Sequence, residues 1–376
     1  MIQSIGAVVL TRDEERCVGR CLSSVLAFGF DDILVVDTGS VDDTVDIVRG
    51  LGPRVRLHTS AWSGSFAAAR NVGLDMVRAD WAVFVDADEW LVRGSASALR
   101  EHLTQLSEAD APTVALAPRI VDDTRGSVVD GVPRILRTGP RVRYHGRVHE
   151  YPIVDGDINS PAEIMPVDLE FLHDGYAPDV LRAKDKHRRN MELLRAEIVD
   201  DPDNPRWPFY AVRDGAPLLS ATAITDLCQR SARLAGAEST PGGEAARKYY
   251  RDTLINACYA MTARGQWESV SSWCDELDEL SGASSPDAQY FRAVVAVMTG
   301  QAGPDELRRT AAVREDEAVC HTSGICRSGD HLDAATALLI EHVHGANAAN
   351  EYRLLLDSWT DMFFLNSRLR GPVRTG

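Results

Sequence analysis

Asp86 and Asp88 stand two residues apart at the end of the apolar run Trp81-Ala82-Val83-Phe84-Val85. Carboxylates so placed suit a particular chemistry, that of hard oxygen ligands holding Mg2+ or Mn2+ against a diphosphate. If the chain stays extended, alternation turns Asp86 and Asp88 to the same side and Glu89 elsewhere. Alone, an Asp-x-Asp pair is an ordinary acidic strand-to-loop turn. Two further clusters change its weight. Asp37 ends a second apolar run, Ile33-Leu34-Val35-Val36, where a carboxylate can accept hydrogen bonds from a base or ribose. Thr38-Gly39-Ser40 follows it, and Gly39 permits a tight turn. Asp43 is placed to cap the next helix, with Thr44 assisting. In Phe66-Ala67-Ala68-Ala69-Arg70-Asn71 the alanines allow close helix packing, and Arg70 is a partner for a phosphate or a rim carboxylate. The plain alternatives are ordinary helix capping for Asp43 and a solvated helix arginine for Arg70.

Positioning these groups requires strands that end together. Ile5–Leu10, Asp32–Asp37, Arg54–Leu57 and Trp81–Asp86 read as short buried strands, and residues 13–28, 42–51 and 66–77 as the helices between them. That alternation implies right-handed crossovers and a mostly parallel sheet covered on both faces. Ligands of such sheets bind at the C-terminal strand ends, which puts Thr11, Arg12, Asp37 and Asp86 on one rim. Residues 111–175 carry shorter β-like pieces, and from Pro178 the pattern is helical: Asp179–Val199, then 206–236, 245–264, 266–280, 286–299, 304–318, 330–343 and 349–368. The expected organisation is a catalytic α/β domain over residues 1–177 and an all-α region over 178–376. Leu355, Trp359 and Phe363 form a helical stripe that fits a packed core or, second, a homodimer interface.

Composition narrows the classes. The 376 residues carry a formal net charge of −16, which argues against a nucleic-acid partner. No run of about 18 apolar residues suggests a membrane span. Met1–Leu10 has no basic start or cleavage site and reads as the first strand rather than a signal peptide. Seven scattered cysteines suit a reducing cytoplasm better than a disulfide framework. Cys320, His321, Cys326 and His331 match no compact zinc pattern.

Leu10-Thr11-Arg12-Asp13-Glu14-Glu15, Val36-Asp37-Thr38-Gly39-Ser40-Val41-Asp42-Asp43-Thr44, Ala69-Arg70-Asn71 and Asp86-Ala87-Asp88-Glu89, in this order and spacing, resemble family 2 glycosyltransferases of the GT-A fold. Asp13 stands where that family usually has Asn. The resemblance implies a nucleotide-diphospho-sugar transferase domain that moves a sugar from a UDP- or dTDP-sugar, usually with inversion. It implies that Thr11, Arg12 and Glu14 line the nucleotide pocket with Ser40, that Asp37 lies near the base, and that Arg70 and Asn71 belong to the donor site. Asp86 would approach the ribose or metal and Asp88 would bind the metal. Pro133–Arg137, Gly146-Arg147-Val148-His149-Glu150 and Phe171–Tyr176 further resemble a subgroup whose catalytic domain precedes tetratricopeptide-like helices, including envelope-sugar transferases and bacteriocin peptide S-glycosyltransferases. The acceptor class is then a peptide, a glycan or a small molecule.

An inverting transfer needs a base for the acceptor and an electrophile for the leaving diphosphate. Glu150 is the preferred base and His149 its competitor. His173, ending a strand-like run, is a candidate further metal ligand. Arg134 and Arg137 read equally as phosphate contacts or surface charges. The alternative function is a non-catalytic sugar-nucleotide-binding scaffold that recruits a partner through its helical array. A nucleotidyltransferase would need a Gly-rich basic loop after the first strand, which Thr11-Arg12-Asp13-Glu14 is not.

Overall fold

A computed structural model describes residues 2–109, 113–123, 128–174, 186–236 and 243–356. Contacts divide the chain into two compact units, Met1–Glu197 and Ile198–Gly376. The division falls inside a helix, Lys186–Asp200, rather than at the 177/178 position expected from sequence.

The first unit is built on four parallel strands, β1 (Ile5–Thr11), β2 (Asp32–Asp37), β3 (Arg56–Thr59) and β4 (Trp81–Asp86), in the spatial order β3-β2-β1-β4. Three helices follow the first three strands: α1 (Val18–Phe28), α2 (Thr44–Gly50) and α3 (Phe66–Met76). Beyond β4 the sheet becomes mixed. The strand β5 (Glu89–Arg93) turns straight back from β4, and helix α4 (Ala96–Glu108) follows it. Next come β6 (Val114–Asp122), the short β7 (Val128–Val129), β8 (Ile135–Arg137) and, after a separate three-stranded sheet, the long β12 (Glu163–His173). The order continues β4-β8-β6-β12-β5, with β8 antiparallel to β4 and β12 parallel to β6. The small sheet consists of β9 (Val142–His145), β10 (Tyr151–Val154) and β11 (Asp157–Pro161). The parallel half is therefore as anticipated, and the second half, over residues 111–175, adds the mixed strands to an α/β sheet.

Period-two alternation gives the main sheet two buried faces. Ala7, Val9, Ile33, Val35, Val83 and Val85 pack with Val18, Leu22 and Val25 of α1 and with Leu99 and Leu103 of α4. Val8, Leu34, Val36, Ala82 and Phe84 pack with Ala67 and Leu74 of α3 and with Val142 and Tyr144 of β9. Because both faces are covered, the parallel strands read as unbroken apolar runs. The alanines of α3 do allow close approach, and Gly73 completes it: a Cβ there would come within 2.5 Å of Val8 Cγ1. Ser65 caps α3 by accepting from Ala68 N at 3.1 Å. Two expectations change at helix starts. α1 begins at Val18, not residue 13, because Asp13 takes a left-handed φ of 54° and Glu14–Cys17 form turns. Asp43 occupies the N-cap of α2 without a side-chain bond, and Asp42 Oδ1 instead accepts from Thr44 N at 3.0 Å.

Helix α5 (Lys186–Asp200) leads into the second unit. There α6 (Arg206–Gly215), α7 (Ala221–Gly236), α8 (Gly243–Thr262), α9 (Trp267–Ser281) and α10 (Pro286–Met298) are followed by α11 (Pro304–Glu315), α12 (Glu317–Cys320), α13 (Asp330–His344) and α14 (Ala346–Leu354). Each of α7–α10 packs on the next, and their core includes Leu254, Cys258, Val270, Cys274, Tyr290 and Phe291. Two expected long helices are broken, 206–236 near Pro217 and 304–318 at Asp316, which accepts from Val319 N at 3.1 Å to start α12. Of the Leu355 stripe, Leu355 is exposed, and Trp359 and Phe363 lie outside the described residues. No helix among the described residues is long and apolar enough to cross a membrane.

Candidate active site

Register brings the strand ends together. Thr11 pairs with Asp37 across β1 and β2, and Leu10 pairs with Asp86 across β1 and β4. The carboxylates do not meet at one point, however. Asp37 continues the row of Ile33 and Val35 on the α1 face, whereas Asp86 continues the row of Ala82 and Phe84 on the α3 face.

On the Asp37 side, two loops are tied together. Asp13 N donates to Ser40 Oγ (2.9 Å), Glu14 N to Thr44 Oγ1 (2.7 Å) and Glu15 N to Asp42 Oδ2 (3.1 Å). In return, Val41 N donates to Asp13 Oδ1 (2.8 Å) and Asp43 N to Glu15 Oε2 (3.0 Å). Asp37 accepts from Thr11 Oγ1, Ser40 Oγ, Gly39 N and Ser40 N. The turn needs Gly39 at φ 105°. Asp37 thus sets the loop shape, and Arg12, with its side chain 51% exposed, is the cation nearest this rim in sequence.

On the Asp86 side the polar groups are charged. Asp86 Oδ1 accepts from Arg70 Nη2 at 3.0 Å, and Oδ2 from Arg134 Nη2 at 2.6 Å. Arg134 Nη2 also reaches Glu89 Oε1 at 2.7 Å, and Asp86 N donates to Glu89 Oε2 at 3.1 Å. The chain therefore turns at Ala87-Asp88 instead of staying extended. Asp86 and Glu89 share Arg134, and Asp88 sits in the turn between them; the expected common orientation of Asp86 and Asp88 does not arise from strand alternation. Burial pushes Asp86 up, but Arg134 and Arg70 outweigh it and hold the carboxyl well below the usual carboxylate range. Burial pushes Glu89 up, and Asp86 and Asp88 add to the rise against the pull of Arg134. Arg70 pairs with carboxylates, in line with one of its two expected roles. Arg134 is buried beside it. Arg137 pairs with Trp81 at the opposite end of β4, away from the rim.

Asp88, only 8% exposed, lies with its Oδ2 at 3.5 Å from Nε2 of His173 at the end of β12. Burial lowers the His173 pKa, but the hydrogen bond and charge of Asp88, with Glu89 and Asp86, more than offset it, so the net shift is upward. A carboxylate and an imidazole this close fit joint ligation of one divalent cation of the Mn2+ type.

The remaining candidates lie around β9. Asn71 Nδ2 donates to Tyr144 O (2.9 Å) and Asn71 Oδ1 accepts from Tyr144 N (3.0 Å), which fastens β9 to α3. The start of α3 holds the next loop: Phe66 N donates to Arg147 O and Ala67 N to Gly146 O. That loop ends in His149, at a left-handed φ of 54°, and Glu150, whose Oε1 accepts from Arg70 Nε at 2.5 Å.

Glu89 is the residue that sequence reasoning misses. Its signal, an acid next to the Asp-x-Asp pair, is visible, but its burial depends on Arg134, 45 residues later.

Residues 7–136 match the model of glycosyl transferase family 2. The first unit carries a family 2 glycosyltransferase domain. Among curated proteins, the SPbeta prophage-derived glycosyltransferase SunS of Bacillus subtilis is 26% identical over 293 residues, 78% of this chain and 67% of that protein. A TPR repeat-containing protein of Synechococcus elongatus is 30% identical over 210 residues, 53% of this chain and 49% of that protein. A crystal structure of S. aureus TarS in complex with UDP-GlcNAc is 15% identical with a TM-score of 0.38, covering 79% of this chain and 92% of that one, an overlay too loose to carry an argument. The chain is a glycosyltransferase, and the rim just described is the C-terminal strand edge of its catalytic domain.

Proposed function

We propose that this glycosyltransferase takes a sugar from a nucleoside-diphosphate donor, UDP- or dTDP-linked, and transfers it with inversion to a peptide, glycan or small-molecule acceptor. The observation that carries the reading is the pairing of Asp88 with His173 at 3.5 Å on the strand-end rim, next to buried arginines. These two side chains would hold Mg2+ or Mn2+, and the imidazole favours Mn2+. A divalent cation there supplies positive charge against the departing diphosphate. Thr11, Arg12, Glu14, Asp37 and Ser40 form the donor side, on loops too tightly tied to need ordering when the nucleotide arrives. Arg70 is spoken for by Asp86 and Glu150, so phosphate contact falls to the exposed Arg12 rather than to Arg70.

Glu150 takes the acceptor proton. Arg70 occupies Oε1, which orients the carboxylate and leaves Oε2 to receive the proton from the acceptor heteroatom. Asn71 keeps the loop in place through β9. Cys17, Cys21, Cys228, Cys258, Cys274, Cys320 and Cys326 are all free thiols, which fits work in a reducing cytoplasm. The helical unit is read as the acceptor-recognition element, and a homodimer through it stays a proposal.

The deciding experiment measures UDP release from UDP-glucose and UDP-N-acetylglucosamine before and after chelation. Turnover should vanish with EDTA and return with MnCl2, and Asp88→Asn should remove that dependence together with the activity. Full turnover in EDTA sinks the metal assignment.

A further inference from the structure

Glu150, Arg70, Asp86, Arg134 and Glu89 form one unbroken run of alternating charge. The successive contacts are 2.5, 3.0, 2.6 and 2.7 Å. Both arginine side chains are 7% exposed, Glu89 is 1% and Glu150 12%; Asp86, in the middle, is the most open at 32%. Asp86 gives a separate oxygen to each arginine. One end of the run closes the turn that carries Asp88, because Glu89 also accepts from Asp86 N. The other end is Glu150 itself.

We propose that Asp86 is a positioning residue and not a ligand of the cation. Through Arg134 it fixes the Asp88 turn, and through Arg70 it fixes the Glu150 loop, so that the cation-binding and proton-accepting groups are set in one frame. This rests on the roles given above to Asp88 and Glu150. Three physical points support it. Both Asp86 oxygens are already engaged in charge-assisted hydrogen bonds, the strong kind. A cation placed on Asp86 would lie close to two guanidinium groups and meet their repulsion. The arginines also depend on this carboxylate: Arg70 Nη1 and Arg134 Nε are buried with no partner among the described residues, so neither guanidinium has another charge to turn to beyond Glu150 and Glu89. A buried cation deprived of its partner is strongly unfavourable. The rings of Phe84 and Tyr144, 5.4 and 5.5 Å from the Arg70 guanidinium carbon, close off its remaining sides.

The test compares Asp86→Asn with Asp88→Asn in the full chain, with UDP and MnCl2 as the binding probe and UDP release from a UDP-sugar as the rate. Asp86→Asn should keep the Mn2+-dependent affinity for UDP within about threefold and leave the donor KM nearly unchanged, while kcat falls about 100-fold. Asp88→Asn should lose the Mn2+-dependent affinity. If Asp86→Asn does not fold, Arg134→Lys and Arg134→Gln decide the matter: the lysine variant should recover part of the kcat that the glutamine variant loses, and Mn2+ affinity should fall in both by less than in Asp88→Asn. The proposal is overturned if Asp86→Asn weakens Mn2+ binding as much as Asp88→Asn does. It is also overturned if Asp86→Asn, or Arg134→Gln in its place, turns over at the unmodified rate. An Asp88→Asn variant with undiminished Mn2+ affinity is a separate result, because it removes the metal assignment underneath, and the positioning role with it.

Discussion

Asp287 in the helical unit and Asp86 at the end of β4 are both aspartates with every oxygen engaged, but their donors differ. Asp287, 1% exposed at the start of α10, accepts from Ser323 Oγ, Gly324 N and Ile325 N at 2.5, 2.9 and 3.2 Å. Those are neutral donors from one loop, and they close it. Among the described residues the Asp86 carboxylate accepts from arginines, and these lead outward to Glu89 and Glu150. The histidines beside the two clusters follow suit. Next to Asp287, burial outweighs the nearby charge and lowers His331, whereas next to Asp88 the carboxylates outweigh burial and raise His173. A sealed polar cluster holds backbone, and a charged one at an open strand edge organises chemistry.

The contrast breaks most easily at Glu150. Glu150→Gln should lower turnover about 1,000-fold and the melting temperature only modestly, because the change removes a proton acceptor and one of the two charges facing buried Arg70 but keeps the side chain's shape. A variant that melts early and turns over normally would reverse the roles assigned to the two regions. Next in size, Asp287→Ala strands two part-buried N–H groups and the buried hydroxyl of Ser323. It should cost about 2–4 kcal/mol in urea unfolding followed by helix signal, with UDP and Mn2+ binding unaltered.

Acid sharpens the comparison further. His331 has a lowered folded pKa, so protonation favours the unfolded chain, and the helical unit should lose stability as pH falls below about 6.5. His173 has a raised folded pKa. Its pairing with Asp88 is fully present below the ordinary histidine value and is lost as pH rises through the raised one. Mn2+ needs the neutral imidazole, so its affinity should climb with pH across that same window, by up to about tenfold per unit, and His173→Asn should flatten the climb. Calorimetric titrations at pH 6 and 8 would show it. The smallest effect belongs to neither cluster. Asp155 pairs with Arg141 on the surface, and Asp155→Asn keeps a residue that tolerates its φ of 50°, so the melting temperature should not move.

Much of this architecture is readable from local pattern. The apolar runs before Asp37 and Asp86 locate two parallel strands and their ends, and Ala67–Ala69 mark the close-packed helix. A turn after Asp86 is one reading of the Asp-x-Asp pair, but the return as strand β5 is not readable. Glu89-Trp90-Leu91-Val92-Arg93 carries no turn-forming glycine or proline before it, and the turn is held by Arg134, 48 residues beyond Asp86. The start of α1 misleads for a related reason: Asp13–Cys17 has helical spacing, but its side chains and N–H groups are claimed by the loop after β2. Spacing to Asp86 singles out Asp88, and the strand-like run before His173 singles out that histidine as a further candidate ligand, but that the two side chains face each other follows only from the fold. Long-range pairing, not propensity, decides each of these points.

The five reciprocal hydrogen bonds between the loops after β1 and β2 have a practical bearing on redesign. Residues 13–15 and 40–44 interlock like two halves of a clasp, each supplying groups that satisfy the other's backbone. Exchanging either segment alone for that of another enzyme leaves amides with nothing to bind, so altered donor preference has to be engineered by transplanting both segments as a matched pair.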